Sequence, residues 1–244
     1  MLRTIFFYPA LLISLIITYF LEIKVKFLTN KGDIKKRMIY IHKVTNTWAK
    51  FVMKIAGAKV SIVGLENLPI NQTVLFVSNH QSNFDIPLLL GYLDIPKGFI
   101  AKKELASWPF ISTWMKHINC IFMDRDNLRK SAQSIVEGIN LLKSGNSMVI
   151  FPEGTRSKGK PVNEFKGGSF KLALKSKCLI VPLTINGTYK LLEENNNKIK
   201  GANIELVIHP PIDVTKLGKE ELEHLPETVH SIISSTYKSY EGIQ

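Results

Sequence analysis

From residue 58 onward the chain alternates short, continuous apolar runs with segments of helical spacing. The runs are KVSIVGL (59–65), TVLFVSN (73–79), GFIAKK (98–103), CIFMD (120–124), SMVIF (147–151), LIVPLTI (179–185) and IELVIH (204–209). Helical spacing is clearest over 128–142, where Ile135, Ile139 and Leu142 form one stripe, and recurs over 168–175 and 220–240. Strands that are apolar throughout are covered on both faces. Their alternation with helices predicts an α/β domain with a mostly parallel central sheet of about seven strands flanked by helices. In such sheets chemistry collects in the loops that follow the strands' carboxyl ends. Four polar clusters occupy those places: Asn79-His80, Lys102-Lys103, Asp124-Arg125, and Glu153 through Arg156. A purely structural protein has no need of them there.

The N-terminus is of another kind. Residues 4–21, TIFFYPALLISLIITYFL, run for 18 positions without a charge. As a helix this stretch is ~27 Å long, close to the ~30 Å hydrocarbon thickness of a bilayer. A cleaved signal peptide is disfavoured, because Glu22, Ile23 and Lys24 follow where a small-residue cleavage site should stand. Lys24, Lys26, Lys31, Lys35, Lys36 and Arg37 crowd the C-terminal flank, against Arg3 on the other. The positive-inside bias then sets the rest of the chain on the cytoplasmic side of the cell membrane. A full span and a shallow insertion into one leaflet both fit, with Pro9 counting against a straight span. Next, Ile41, Val44, Trp48, Phe51, Val52 and Ile55 recur at helical spacing opposite Lys43, Asn46, Lys50 and Lys54, and Gly57 marks the end. Such a helix fits equally the headgroup layer or the protein's own core. The expected division is residues 1–57 as membrane-associating helices and 58–244 as a catalytic domain.

The net charge of +12 favours an anionic partner: nucleic acid, an acidic membrane surface or a phosphorylated substrate. Nucleic acid is the poorest of these, since neither finger spacing nor an aromatic ribonucleoprotein signature is present. Cys120 and Cys178 sit among apolar residues and read as buried free thiols. The six histidines, at 42, 80, 117, 209, 224 and 230, form no metal-binding spacing, so neither a metal nor another cofactor is expected. His117 reads as structural or surface, and His224 and His230 as residents of a solvated helix face. GTRSKGKP (154–161) mimics a phosphate loop, but Pro161 stands where that loop needs a hydroxyl to hold magnesium. A nucleotide-hydrolysing reading is therefore rejected.

In SNHQSNFDIP (78–87), His80 and Asp85 are five residues apart, too far around a single helix to share a face. They meet if His80 stands on the turn and Asp85 in the first helical turn, with Ser82 or Asn83 as the N-cap and Pro87 accommodated early in the helix. The carboxylate then orients one ring nitrogen and leaves the other to act as a base. No nucleophile elbow occurs elsewhere, so the histidine acts on a substrate hydroxyl, a form of general-base help worth roughly 10²- to 10⁴-fold. The bland alternative is a satisfied structural hydrogen bond. In FPEGTRS (151–157), Pro152 stops the strand, Gly154 lets a ligand approach the backbone, and Arg156 offers a planar fork for phosphate. Lys158, Lys160 and Lys166 extend the positive charge.

NHQSNFD resembles the N-H-x-x-x-x-D block of the glycerolipid acyltransferases, and FPEGTRS resembles their third block. AKKELASWPF (101–110) with IFMDR (121–125) resembles the second, and VPLTING (181–187) the fourth. Four blocks in order are a specific signal, and the likeness is greatest to the bacterial 1-acyl-glycerol-3-phosphate acyltransferases. The resemblance implies His80 as general base and Asp85 as its partner, acting on a lysophospholipid hydroxyl and an acyl-CoA or acyl carrier protein thioester. It implies Arg125, Glu153, Gly154, Thr155 and Arg156 around the glycerol phosphate. Lys103, with Lys102, would help to place the phosphate or balance the oxyanion. The block around Pro182 is tied to the acyl side; read alone, a proline in an apolar run suggests a strand edge or bulge. Ser112 and Asn119 stand roughly where family members carry glycines, a departure that bears on the acyl pocket and not on the reaction type. Rival readings keep the chemistry with glycerol 3-phosphate, another lysophospholipid or an aminolipid as acceptor, or take the chain as a membrane-bound anionic-lipid binder without catalysis.

Overall fold

The computed structural model describes residues 2–241. Eight strands form one sheet: β1 (Ala58–Val63), β2 (Val74–Ser78), β3 (Lys97–Lys102), β4 (Ile121–Met123), β5 (Ser147–Ile150), β6 (Leu179–Asn186), β7 (Ala202–Ile208) and β8 (Ile212–Asp213). Their order is β1-β7-β6-β2-β5-β3-β4, with the two-residue β8 pairing beside β6. Strands β6, β2, β5, β3 and β4 are mutually parallel, whereas β1 and β7 are parallel to each other and run against those five, as does β8. All seven apolar runs are strands, and β2 and β5 are buried throughout, as their unbroken hydrophobicity requires.

The helices are α1 (Leu2–Asn30), α2 (Ile34–Ala56), α3 (Asp85–Tyr92), α4 (Ile111–His117), α5 (Leu128–Lys143), α6 (Lys171–Ser176), α7 (Lys219–Glu223) and α8 (Leu225–Glu241). The expected 168–175 helix opens as a 3₁₀ turn, Gly167–Phe170, before α6. The expected 220–240 helix is two helices broken at His224, because Pro226 belongs in the first turn of a new one. His224 is exposed, as expected. His230 instead is half-buried, its ring edge-on to Phe165 at 5.0 Å between centroids.

Helices α1 and α2 form an antiparallel hairpin. Asp33 caps α2 by accepting the Lys36 N–H, and Gly57 closes it in the left-handed conformation at φ 82°. The inner face of α2, with Ala49, Val52, Met53 and Ala56, shares one apolar cluster with Val74 and Phe76 of β2 and Leu88 and Leu89 of α3. Of the two settings open to this helix, it takes the protein's own core. Helix α1 is long and apolar enough to cross a membrane. It nevertheless buries one stripe, Phe7, Ser14, Thr18, Glu22, Val25 and Leu28. Ser14 accepts a hydrogen bond from Trp48 Nε1 at 3.1 Å, and Glu22 lies 3.2 Å from Lys26 Nζ and 3.7 Å from His117 Nε2. The opposite face exposes Ile5, Phe6, Leu12, Ile13, Ile17 and Phe20.

Pro182 stands inside a central strand rather than at an edge. Beyond β2, β6 is paired by β8 at Leu179 and Ile180 and by β7 from Leu183 onward. Pro182 falls in the interval between those partners, where its missing N–H breaks no ladder, and its carbonyl accepts the His209 N–H at 3.0 Å.

Candidate active site

Because β2, β5, β3 and β4 are adjacent and parallel, the four polar clusters predicted after them stand in a row along one edge of the sheet. His80 lies two residues beyond β2, Lys102 ends β3, Asp124-Arg125 follow β4, and 153–156 follow β5. Asn79 fixes the exit of β2: its amide donates to the Ile185 carbonyl and accepts the Ile185 N–H, at 2.9 and 2.8 Å.

His80 is held on four sides. Its Nδ1 is 2.7 Å from Asp85 Oδ2, and its ring lies flat on Phe151 with centroids 4.1 Å apart. Its backbone N–H donates to Glu153 Oε1 at 2.6 Å, and its carbonyl accepts the Ser157 N–H at 2.7 Å. Among the described residues Nε2 has no hydrogen-bond partner. Asp85 is fully buried and accepts four hydrogen bonds. Besides His80, Oδ2 takes the N–H groups of Gln81 and Ser82 at 2.7 and 2.9 Å, and Oδ1 takes the hydroxyl of Thr188. With donors fixed on both oxygens the carboxylate cannot turn, and Nδ1–H is the tautomer this geometry favours. The expected helix cap is different: Phe84 holds the N-cap position, while Ser82 Oγ accepts the Phe84 N–H at 3.1 Å in the preceding turn. Asp85 is then the first helical residue; no side chain caps the helix, and the Asp85 carboxylate instead turns back to gather the Gln81 and Ser82 N–H groups of the preceding turn.

The loop after β5 carries the cations. Arg125 donates to the Gly154 carbonyl, bringing its guanidinium onto this loop. Gly154 has φ 71°, and a Cβ there would stand 2.8 Å from the Lys166 ammonium. Arg156 reaches Glu193 Oε1 at 3.4 Å and remains about one-third exposed. Thr155 is exposed. Glu153, read from sequence as part of the phosphate cradle, turns inward: beyond His80, its Oε2 accepts the N–H and the amide of Asn163 at 3.0 and 2.8 Å. Burial pushes its carboxyl above the usual carboxylate range, against those bonds. Lys102 pairs with Glu104 at 3.3 Å and Lys103 with Asp124 at 2.9 Å. The geometry thus joins His80, Asp85 and Glu153 through direct bonds, ties Arg125 to Gly154, links Arg156 to the His80 turn only through Glu193, and leaves both lysines on the neighbouring strand end.

Three contributors carried no signal as site residues. Gln81 Oε1 accepts the Gly187 N–H at 3.0 Å, tying the motif turn to the end of β6. Thr188 immediately follows the VPLTING block, and the hydroxyl-bearing neighbour of a buried carboxylate was the only available hint. Glu193 lies in LEENNN, an acidic, polar stretch that composition assigns to a surface loop. Asn119 adopts φ 58°, the left-handed geometry a glycine would otherwise supply, while Ser112 lies inside α4 and the strained residue is Phe110, at φ 62°.

Fold and site define an α/β enzyme whose working edge bears an oriented imidazole beside guanidinium groups. Residues 59–186 match the model of the acyltransferase family. The chain is 35% identical over 199 residues to a probable 1-acyl-sn-glycerol-3-phosphate acyltransferase of Mycoplasma pneumoniae, covering 76% of this chain and 74% of that one. It is 33% identical over 184 residues to the 1-acyl-sn-glycerol-3-phosphate acyltransferase of Borreliella burgdorferi, covering 75% and 74%. The crystal structure of the 1-acyl-sn-glycerophosphate acyltransferase PlsC from Thermotoga maritima superposes with a TM-score of 0.88 at 27% identity, covering 100% of this chain and 96% of that one. The chain belongs to the acyltransferase family.

Proposed function

We propose that the protein moves a fatty acyl group from a thioester donor, acyl-CoA or acyl carrier protein, to the free hydroxyl of 1-acyl-glycerol 3-phosphate, giving phosphatidate. The observation that carries this reading is the His80 Nδ1–Asp85 bond of 2.7 Å with Nε2 left open beside the loop that holds Arg156 and Arg125. Nε2 takes the proton of the acceptor hydroxyl as its oxygen attacks the thioester carbonyl. The tetrahedral intermediate then collapses, breaking the carbon–sulfur bond, and the departing thiolate takes the proton back from the imidazolium. Asp85 orients the ring and offsets its transient charge. Arg125, Thr155 and Arg156 hold the glycerol phosphate at the turn around Gly154, against which the Lys166 ammonium also lies, and Lys102 and Lys103 add positive field at the same edge. Glu153 acts through His80 and Asn163, so its role on this reading is to position the base rather than to touch the acceptor.

On the same reading residues 1–57 bring the catalytic part, 58–244, to the cell membrane. The buried polar stripe of α1 argues for a helix lying in one leaflet, since crossing would strip Ser14 from Trp48 and Glu22 from His117. Water-soluble thiol donors and the lysine-rich flank of α1 favour the cytoplasmic side. The deciding assay offers purified protein both donor types with lysophosphatidate, glycerol 3-phosphate and a choline lysolipid, and reads product by mass. Acylated lysophosphatidate is expected from wild type and none from folded His80→Ala. Turnover in that variant within tenfold of wild type would defeat the mechanism.

A further inference from the structure

Glu193 bridges the two motif loops from outside both. It sits in a single 3₁₀ turn, Glu193–Asn195, beyond the end of β6. Its Oε2 accepts the Ser82 hydroxyl at 2.6 Å, and its Oε1 accepts the Asn83 N–H at 3.1 Å. The same Oε1 faces Arg156 NH1 at 3.4 Å. Its side chain is only 6% exposed, against 34% for the arginine. The carboxylate is thus anchored by two good hydrogen bonds on the Ser82–Asn83 side and makes one long contact on the guanidinium side. Arg156 is the cation within ion-pair distance of this buried carboxylate among the described residues, and a buried charge is offset by such a partner. A guanidinium satisfies its fork best with two parallel bonds to one anion, which a single oxygen at that distance does not provide.

We propose that Glu193 is a specificity-determining and positioning residue, an internal anion that holds the Arg156 guanidinium in place and yields it to the acceptor's phosphate. The proposal rests on the reading of Arg156 as a phosphate ligand and adds the group that the phosphate must displace. A phosphate brings more charge and a matching pair of oxygens, so it wins the fork. An acceptor without phosphate leaves the internal pair closed and gains nothing from the arginine. Glu193 stays anchored to Ser82 and Asn83 throughout, so the motif turn that carries His80 does not shift when the guanidinium changes partner.

Glu193→Gln separates the charge from the clamp. The amide oxygen still accepts the Asn83 N–H, and the amide N–H₂ donates to Ser82 Oγ, while the competing charge is gone. Steady-state kinetics of the full chain in mixed micelles should show KM for lysophosphatidate lowered about fivefold, equivalent to ~1 kcal/mol, with kcat within about twofold of wild type. Inhibition by inorganic phosphate should tighten by about the same factor. In an Arg156→Gln background the same change should leave KM where it was, which keeps the test open should the single variant fold poorly. A KM that is unchanged or raised in Glu193→Gln, or an equal shift in the Arg156→Gln background, overturns the role of Glu193 alone. A wild type that does not acylate lysophosphatidate overturns the function itself, and the two failures are distinguishable.

Discussion

Asp85→Asn tests the charge of the carboxylate without disturbing its position. Three N–H donors converge on Oδ2, from His80, Gln81 and Ser82, and one hydroxyl on Oδ1, from Thr188. An asparagine must turn its oxygen to the three donors, because two of them are backbone and cannot reverse. Its amide then faces Thr188 Oγ1, which accepts and redirects its own proton to Gln81 Oε1, now 3.4 Å away. The hydrogen-bond pattern, the His80 tautomer and the ring orientation all survive. On the proposed mechanism, what disappears is the attraction between a carboxylate and the imidazolium formed as the hydroxyl is deprotonated. At about 4 Å between charge centres and an effective dielectric of about 20 this is worth roughly 4 kcal/mol. With ~1.36 kcal/mol per decade, kcat should fall about a thousandfold. The melting temperature should stay within about 3 °C of wild type. Asp85→Ala, by contrast, leaves the buried Gln81 and Ser82 N–H groups without an acceptor at about 1–3 kcal/mol each. At ~2–4 °C per kcal/mol for a chain of this size, that variant should melt roughly 10 °C lower. Initial rates of acyl transfer, with thermal unfolding on the same samples, decide the matter. A kcat for Asp85→Asn within tenfold of wild type would refute the electrostatic role, and a melting loss equal to that of Asp85→Ala would refute the hydrogen-bond assignment.

Thr188→Val removes the donor to Asp85 Oδ1 in a fully buried site and should cost about 2 kcal/mol of stability, whereas Thr188→Ser should retain most of it; chemical denaturation giving the reverse order counts against the assignment. Lys97 is buried with its ammonium donating to the Leu93 and Ile95 carbonyls at 2.7 and 2.8 Å, and burial drags its pKa down to about 7. The unfolded chain keeps that proton up to ~10.4, so between about pH 7 and pH 10 the unfolded state binds more protons and stability rises with pH. Lys97→Met should abolish that rise, and a denaturation midpoint that still climbs over the same range would exclude Lys97 as its source. On the exposed face of α1, Ile13→Glu with Phe20→Glu should release the protein from vesicles by a hundredfold or more, each lost apolar insertion being worth ~1.5–3 kcal/mol, without lowering the melting temperature. Undiminished vesicle binding would mean that this face does not enter lipid.

The seven principal strands were legible because a strand covered on both faces must be apolar at every position, and few other elements are so marked. Strand β8 was not, since two residues, Ile212 and Asp213, carry no period. Pro182 misled for a local reason: its exclusion from strand interiors assumes a partner on each side, and β6 changes partners at that point. Within the candidate site, His80, Asp85, Gly154 and Arg156 were readable as a pattern because the proposed chemistry would need each to be one residue type. Glu153 was read with the right neighbours and turned the other way, since sequence does not say whether a carboxylate faces a ligand or a backbone amide. Thr188 and Glu193 escaped because they act 103 and 111 residues from the atoms they bind, across a β6 exit that only the folded sheet brings near.

The bonds from Glu153 and Ser157 to the backbone of His80 have one more consequence. They fasten the imidazole's turn and the guanidinium's turn into a single rigid piece, so an arriving lipid cannot draw one toward the other. On the proposed reading the molecule is a fixed gauge: a glycerol ester gripped by its phosphate is reached only at the carbon whose hydroxyl spans that set gap, and regiochemistry is a length measured by the loops before any bond is made.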